Sequence, residues 1–292
     1  MNYPKITIVT PSYNQGQFLE ETILSVLGQN YSNLEYMILD GGSNDNSLEI
    51  ILKYQDRLSF WCSEKDNGQS AAINRGFSMA TGEILMWLNS DDILMPNILN
   101  YISQKYIENP NKLYFGNCIH FKENPDTSLT SWGSDVVNNC NKFKLAEGDI
   151  IIQPSSFWSR KIWESIGPLN ENNHYVFDWE WFLKVENKFS LQPLDKCISM
   201  YRIHENHKTG LGDPRRQKEI LRIYQQYKPK LAKLYEKVIC EKMTNDIFLL
   251  LIIKLIGALI KKSQFLIYLK VIKFYKYNRY SFHELKCVMG MI

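Results

Sequence analysis

Short apolar runs alternate with helical apolar patterns along the first third of the chain. Lys5–Thr10 and Tyr36–Leu39 are rich in apolar and β-branched residues, which favours buried strands. Between them, Leu19, Ile23 and Val26 recur at the spacing of one helical face. Because strand, turn and helix repeat in this order up to residue 92, the pattern predicts an α/β sheet with parallel strands and right-handed crossovers.

The last strand of this repeat ends abruptly in polar residues. Ile84–Leu88 is apolar and leads directly into Asn89, Ser90, Asp91 and Asp92. Adjacent carboxylates repel each other unless a positive charge lies beside them, and a hard divalent cation shared with substrate phosphates is one solution. A solvated loop that contains an Asx turn is the plainer alternative.

Other polar residues follow the earlier strands in the same way. Ligands of open α/β sheets bind beyond the carboxyl ends of the strands, where Tyr13, Asp40, Asp66 and Asp91 are predicted to lie. A dinucleotide-binding loop would need several closely spaced glycines, but Pro11–Gly16 has only one and contains a bulky tyrosine. An aromatic ring and a carboxylate suit a stacked, hydrogen-bonded base instead.

The middle of the chain is less regular. We expect a helix over Pro96–Tyr106, a strand over Leu113–Phe121, a polar loop over Glu123–Ser134, a helix ending at Gly167 and a last strand over Cys197–Ile203. Residues 135–150 carry no clear pattern.

Composition is that of an ordinary folded protein, with 292 residues, 45% hydrophobic and 22% charged. The six cysteines form no Cys-x-x-Cys pair, which is typical of reduced thiols in a cytosolic protein. The N-terminus enters a strand without the apolar core of a signal peptide, so we expect a cytoplasmic location. No groove-reading motif indicates nucleic acid as a partner.

Charge divides the chain. The net charge is +3, but residues 228–279 contain twelve basic and three acidic side chains, so the rest is acidic overall. In this segment Ile247–Ile260 and Phe265–Tyr275 are largely apolar, and both runs are shorter than a membrane span. These helices could pack as core, or lie on the inner face of a membrane with lysines near anionic head groups.

Four motifs in this order resemble the inverting nucleotide-sugar glycosyltransferases of family 2, which have the GT-A fold. The matching stretches are Thr10–Asn14, Asp40–Ser47, Asp66–Gly76 and Leu88–Asp92. The resemblance implies a mixed sheet with flanking helices over 1–212, with a nucleotide-binding half (1–92) and an acceptor-binding half (93–212). Residues 213–292 would form a basic, amphipathic helical extension.

The resemblance also implies roles for individual residues. Pro11, Tyr13 and Asp40 would hold a uracil, with Asp40 accepting its N3–H. The nucleoside and diphosphate would be lined by Asn14, Asp66, Gly68, Asn74, Arg75, Asn89 and Ser90.

The metal motif departs from the family pattern. Family 2 has Asp-x-Asp, whereas this chain has Asn89 in the first position and Asp91 in the second. The resemblance therefore implies that Asp91 is the principal ligand of Mn²⁺ or Mg²⁺, with Asp92 as support. His204 follows Tyr-Arg-Ile in a way that some family members use to complete the metal site, and Lys208 could approach the diphosphate.

The same resemblance implies that Asp178, ahead of a Trp- and Leu-rich helix, is the catalytic base. An ordinary helix start would also favour acidic residues there, and Glu180 is the reserve candidate. The expected activity is transfer of a sugar from a UDP-sugar to a hydroxyl of a glycan or lipid-linked acceptor in surface polysaccharide synthesis. A sugar-nucleotide-binding protein without turnover, or a nucleotidyltransferase or pyrophosphatase on a similar sheet, are the alternatives.

Overall fold

The computed structural model describes residues 3–123, 129–204, 208, 213–244, 283, 284, 287, 288 and 291. The strands are β1 (Ile6–Ser12), β2 (Leu34–Asp40), β3 (Phe60–Ser63), β4 (Ile84–Trp87), β5 (Ile93–Leu94), β6 (Lys112–Glu123), β7 (Leu129–Gly133), β8 (Ser156–Ser159) and β9 (Ser190–Arg202). The α-helices are α1 (Gly16–Leu27), α2 (Ser47–Tyr54), α3 (Gln69–Met79), α4 (Ile98–Glu108), α5 (Val136–Lys142), α6 (Arg160–Ile166), α7 (Phe177–Glu186), α8 (Pro214–Tyr227) and α9 (Pro229–Thr244).

The strands form one mixed sheet in the order β3-β2-β1-β4-β8-β6-β9-β5, with β7 added to β6. β1 is parallel to β2 and β4, and β2 is parallel to β3, as the repeat predicts. β8 is antiparallel to both β4 and β6, so β6 runs in the direction of β4, and β9 is parallel to β6. The carboxyl ends of β1, β2, β3, β4, β6 and β9 therefore lie along one edge of the sheet.

Helices cover both faces of the sheet. On one face, Ile8 and Met86 belong to a buried cluster with residues of α1, α2 and α4. On the other face, Trp87 packs against Phe77 of α3 and Phe182 of α7, with ring centroids 6.2 and 6.4 Å apart. Because both faces are covered, β4 is an uninterrupted apolar strand with four buried residues.

The chain divides into two compact units, residues 1–142 with 150–210, and residues 143–149 with 211–292. In the second unit, Tyr224 of α8 and Tyr235 of α9 are buried with ring centroids 5.4 Å apart. The two apolar runs over 247–260 and 265–275, for which core packing and membrane binding are the alternatives, lie outside the described residues. Within the described ranges, no helix is both long enough and apolar enough to cross a bilayer.

Candidate active site

The turn after β1 is fastened to the turn after β2. Asn14 donates its backbone N–H to Ser43 Oγ (2.7 Å) and accepts the Asn44 N–H at its own Oδ1 (2.9 Å). Asp45 accepts the N–H of Gly16 (2.9 Å). These bonds fix the loop that carries Tyr13, whose side chain is 59% exposed at the carboxyl edge. A fixed, exposed ring is suited to stacking on a base.

Asp40 ends β2 and is 1% exposed. Its Oδ1 accepts the Ser43 hydroxyl (2.5 Å), and its Oδ2 accepts the Ser43 N–H (2.9 Å) and the Ser63 hydroxyl (2.7 Å). A carboxylate offers about four acceptor positions, so one remains on Oδ1. Asp40 also lines a cavity of about 200 Å³ together with Cys62, Asp66 and Arg75.

Asp66 and Gly68 form the turn into α3. Gly68 has φ of +104°, a conformation that favours glycine, and donates its N–H to Asp66 Oδ1 (2.8 Å). Arg75, on α3, is paired with Glu64. Asn74 instead holds a distant loop, because its amide oxygen accepts the Leu169 N–H (2.8 Å) and its amide nitrogen donates to the Leu169 carbonyl (3.0 Å).

Asn89 is the centre of a hydrogen-bonded turn after β4. Its Oδ1 accepts from Gln69 Nε2 (2.8 Å), and its Nδ2 donates to Asp92 Oδ2 (3.2 Å) and Gln153 Oε1 (3.2 Å). Gln153 in turn donates to the Trp87 carbonyl (2.9 Å). The turn is thereby fixed to the end of its own strand. Ser90 is buried within the same turn.

Asp92 is completely buried. Burial, together with the neighbouring charge of Asp91, raises the pKa of Asp92 well above its usual value, although the Arg202 N–H and the Asn89 amide oppose the shift. Asp92 therefore supports the turn from below and offers no exposed oxygen to a ligand.

Asp91 faces His204. Asp91 Oδ2 and His204 Nε2 are 2.9 Å apart, and both side chains are partly exposed. Two neighbouring ligands of an octahedral ion with bonds of about 2.1 Å are separated by about 3.0 Å. Carboxylate oxygen is also a ligand atom to which Mn²⁺ and Mg²⁺ bind. Asp91 and His204 hydrogen-bond each other directly, and each offers an atom that a divalent ion can bind, so the residues present fit such an ion.

Arg202 holds this part of the site and was not predicted from the sequence. Its guanidinium lies between the rings of Phe18 and Phe121, 4.6 Å from each centroid, and pairs with Glu21. Its Nε donates to the Asp91 carbonyl (3.2 Å). Since Arg202 ends β9 two residues before His204, it sets the position of the His204 loop relative to Asp91. The Tyr-Arg-Ile-His sequence includes Arg202, but the family resemblance assigned a role in the metal site only to His204.

Gln69 and Gln153 are two further site residues that the sequence did not indicate. Besides its bond to Asn89, Gln69 accepts from Lys208 Nζ (2.9 Å), so Lys208 lies over the turn after β4. A glutamine that hydrogen-bonds to a turn through its side chain stands at no fixed spacing in the sequence, so only the folded structure identifies it as a site residue.

Asp178 and Glu180 have different surroundings in the first turn of α7. Glu180 Oε2 accepts from Asn170 and Asn173 (3.0 Å each), and its Oε1 pairs with Lys184 (2.7 Å). Burial opposes ionisation, but these bonds together lower the pKa of Glu180. Glu180 is therefore a fixed carboxylate that holds its own loop, which makes it a poor proton acceptor.

Asp178 lies near the end of β4. Phe177, the first residue of α7, packs against Trp87 with ring centroids 6.3 Å apart. Trp87 lies four residues before Asp91, so the half-buried Asp178, the second residue of α7, lies at the carboxyl edge of the sheet. The structure thus brings Tyr13, Asp40, Asp66, Asp91, His204 and Asp178 to this one edge.

Comparison with known proteins identifies related sequences and related folds. The sequence model of the family described as Glycosyl transferase family 2 matches residues 7–166, more than half of the chain. The chain is 26% identical over 226 residues to an uncharacterized glycosyltransferase, RT0329, of Rickettsia typhi, covering 71% of this chain and 66% of that protein. It is 34% identical over 121 residues to glycosyltransferase GlyG of Streptococcus pneumoniae, covering 40% of each. The chain spans between one third and two thirds of the length of such curated relatives.

Two solved structures share the fold. Mannosyltransferase PcManGT from Pyrobaculum calidifontis, in complex with GDP-Man and Mn²⁺, has a TM-score of 0.60 and 14% identity, covering 100% of this chain and 86% of its own. Residues 1–349 of S. aureus TarS, in complex with UDP, have a TM-score of 0.56 and 16% identity, covering 77% of this chain and 66% of that one. The expected GT-A fold, a mixed sheet with flanking helices, is confirmed.

Proposed function

This chain belongs to glycosyl transferase family 2, and we propose that it transfers a sugar from a UDP-sugar to a hydroxyl group of an acceptor with inversion at the anomeric carbon. The observation that carries the proposal is the grouping of four features at one sheet edge, namely the exposed ring of Tyr13, the carboxylate of Asp40, the Asp91–His204 pair and the separate carboxylate of Asp178. The UDP and UDP-GlcNAc bound by TarS structures, and the GDP-Man and Mn²⁺ bound by PcManGT, support a nucleotide-sugar donor.

The donor would lie along the turns after β1, β2 and β4. Tyr13 stacks on the base and Asp40 accepts its N3–H at the free position on Oδ1. Asp66 bonds the ribose, and Lys208, which already reaches Gln69 above the turn, contributes a positive charge toward the diphosphate. Asp91 and His204 would hold Mn²⁺ or Mg²⁺, which when bound neutralises charge on the departing nucleoside diphosphate.

Asp178 serves as the general base. It takes the proton of the acceptor hydroxyl as that oxygen bonds to the anomeric carbon, while the bond from that carbon to the diphosphate oxygen breaks and the diphosphate leaves with the electron pair. Attack from the face opposite the leaving group inverts the configuration. The chain supplies position and electrostatics, since only one proton has to move. A hydroxyl of a glycan or lipid-linked acceptor in surface polysaccharide synthesis fits this chemistry.

The donor is tested by thermal shift with UDP-, GDP- and dTDP-sugars, with and without Mn²⁺. We expect the largest stabilisation from a UDP-sugar with Mn²⁺, and Asp91→Asn should remove the part that depends on Mn²⁺. Asp56→Asn is the matched control, because Asp56 is exposed in the connection between α2 and β3, away from the carboxyl edge. An Asp91→Asn variant with full Mn²⁺ response would contradict the metal assignment.

Catalysis is tested by UDP release in the presence of sugar acceptors. Asp178→Asn should retain the UDP-sugar thermal shift and lose about 10²- to 10⁴-fold in turnover, the usual contribution of a general base. If wild-type protein binds donors without any turnover, the chain is a sugar-nucleotide-binding protein. Release of phosphate or pyrophosphate in place of UDP would indicate a hydrolase or nucleotidyltransferase.

A further inference from the structure

Trp132 in β7 is the most exposed of the seven tryptophans in the chain. Its side chain is 49% exposed, whereas Trp61 is half-buried and the remaining five are buried in the core. The indole is nevertheless ordered by a partner, because it stacks on the ring of His120 at 5.5 Å between centroids and 10° between planes. His120 in turn contacts the ring of Tyr201 at 5.5 Å. Trp132 and His120 thus form a stack whose outer member is open to solvent, and the Tyr201 ring, tilted by 57°, packs against its inner member.

The strand register places this stack at the carboxyl edge. His120 pairs with Trp132 in β7 and with Tyr201 in β9. The next pair along the sheet is Phe121 with Arg202. Arg202 bonds the Asp91 carbonyl through its Nε and the Asp92 carboxylate through its N–H (3.3 Å). The stack is therefore one residue away from the contacts that hold the metal-binding turn.

The stack also lies on the face of the sheet that carries α7. Arg202 and Phe121 lie on the α1 face, because the guanidinium sits between Phe121 and Phe18 of α1. Neighbouring residues of a strand alternate between faces, so His120 and Tyr201 are on the opposite face. That is the face on which Phe177, the first residue of α7, packs against Trp87, and Asp178 follows it in the helix. The open ring and the proposed base thus share one side of the site.

We propose that Trp132 is the platform on which a neutral pyranose ring of the acceptor stacks. This inference rests on the proposed glycosyl transfer and names the acceptor as a carbohydrate at this position. An indole offers a large, rigid apolar face that loses little conformational freedom on binding. The C–H groups on one face of a pyranose complement it, and the hydroxyls at the ring edge remain available to solvent and to Asp178.

The neighbouring ring supports a neutral ligand. Burial lowers the pKa of His120, which favours the uncharged form of the imidazole beneath Trp132. Stacking on His120 also fixes the indole before the ligand arrives, which reduces the ordering cost of binding.

Binding is tested by saturation-transfer NMR with the methyl β-glycosides of glucose, galactose, mannose and N-acetylglucosamine, each added to protein saturated with UDP and Mn²⁺. We expect transfer to the ring protons of at least one glycoside, a loss of about tenfold in affinity for Trp132→Ala, and substantial recovery in Trp132→Phe. Ile107→Ala is the control, because Ile107 is 63% exposed at the end of α4, near the start of β6 and away from the carboxyl edge.

Kinetics separate this inference from the proposed function. With the glycoside that binds, Trp132→Ala should raise the acceptor KM about tenfold and leave unchanged both the UDP thermal shift and the slow UDP release without acceptor. Absence of UDP binding in wild-type protein would refute the proposed function itself. If UDP binds but no glycoside does, or if Trp132→Ala binds glycosides as tightly as wild type, the platform is refuted. A Trp132→Ala variant that loses the binding of wild-type protein to phosphatidylglycerol-containing vesicles, but binds glycosides unchanged, would also refute the platform and indicate that Trp132 is a membrane contact.

Discussion

Replacing Glu35 by Gln tests a buried, charged anchor in the first half of the chain. Glu35 belongs to β2 and its side chain is 7% exposed. Its carboxylate accepts from Thr7 Oγ1 of β1 (2.6 Å) and from both the N–H (2.8 Å) and the hydroxyl (2.6 Å) of Thr81, and it pairs with Lys5 (2.9 Å). One carboxylate thus ties β2, β1 and the turn before β4 together.

The pKa of Glu35 gives the size of this contribution. Burial by itself would raise the pKa, but the bonds from Thr7, Thr81 and Lys5 together lower it from its usual 4.5 to about 2. A pKa that is depressed in the folded state stabilises the fold above the unfolded pKa and loses this effect as pH falls through the folded pKa. At 1.36 kcal/mol for each pKa unit, the ionised carboxylate contributes about 3 kcal/mol at pH 7. About a quarter of this is lost by pH 4 and more than half by pH 3.

Glu35→Gln should therefore lower the melting temperature by about 6–10 °C at pH 7. Calorimetry of both proteins between pH 7 and 3 should show the gap closing, with most of the change below pH 4.5. Glu164→Gln removes the same charge from an exposed site, where the nearest cation, Arg160, is 3.9 Å away, and should change stability by less than about 0.5 kcal/mol. A gap for Glu35→Gln that stays constant down to pH 3 would refute the electrostatic argument and indicate a packing effect.

Two further predictions concern the same half of the chain. In Gly82→Ala the new Cβ would lie 2.4 Å from Thr7 Oγ1 and 2.7 Å from Thr7 N. We therefore expect the free energy of unfolding, measured in urea, to fall by about 1–3 kcal/mol. Gly133→Ala is the control and should leave this free energy nearly unchanged, because its Cβ would meet no atom within 4 Å. Equal effects of the two substitutions would contradict this packing. Burial raises the pKa of both Cys62 and Cys140, but of these two thiols Cys62 alone lines the cavity with Asp40. UDP should therefore slow the alkylation of Cys62 by N-ethylmaleimide and leave that of Cys140 unchanged, as measured by mass spectrometry of each peptide. Equal slowing at both thiols would contradict binding of the nucleotide base in that cavity.

The repeating half of the fold could be predicted because each element there has its own local signal. The predicted strands Lys5–Thr10 and Tyr36–Leu39 correspond to β1 and β2, and both are buried along most of their length. Such runs are recognisable because a strand covered on both faces is apolar throughout.

The second half could be predicted only in part. β8 has four residues and continues directly into α6, so it shows no alternation of its own. β7 occupies Leu129–Gly133, where we expected a polar loop over Glu123–Ser134. This expectation was wrong because β7 lies at the margin of the sheet, where it pairs with β6, and its short sequence with Thr130, Ser131 and Gly133 resembles that of a loop. β9 begins at Ser190, seven residues before the predicted start, and carries a proline within its length.

The site residues also fall into those that could be predicted from the sequence and those that could not. Residues that end a strand, such as Asp40 and Asp91, could be placed at one edge from topology alone. Residues that act through a long-range bond could not, because Arg202 reaches Asp91 across 111 positions and Gln153 reaches Asn89 across 64. Spacing could not assign roles to the two carboxylates of α7 either, and only the bonds from Asn170, Asn173 and Lys184 identify Glu180 as a carboxylate that holds its own loop.

The asparagine at position 89 has a physical reason in its neighbours. Asn89 Nδ2 donates to Asp92 Oδ2, and Asp92 is buried beside Asp91. An aspartate at position 89 would lose this donor and place another carboxylate about 3 Å from a buried acid, an arrangement in which the two cannot both ionise. Uncharged Asn89 satisfies Asp92 and Gln69 at the same time. The departure from Asp-x-Asp is thus coupled to the buried Asp92, and it leaves Asp91 as the partly exposed carboxylate of the turn, the one proposed to bind the metal ion.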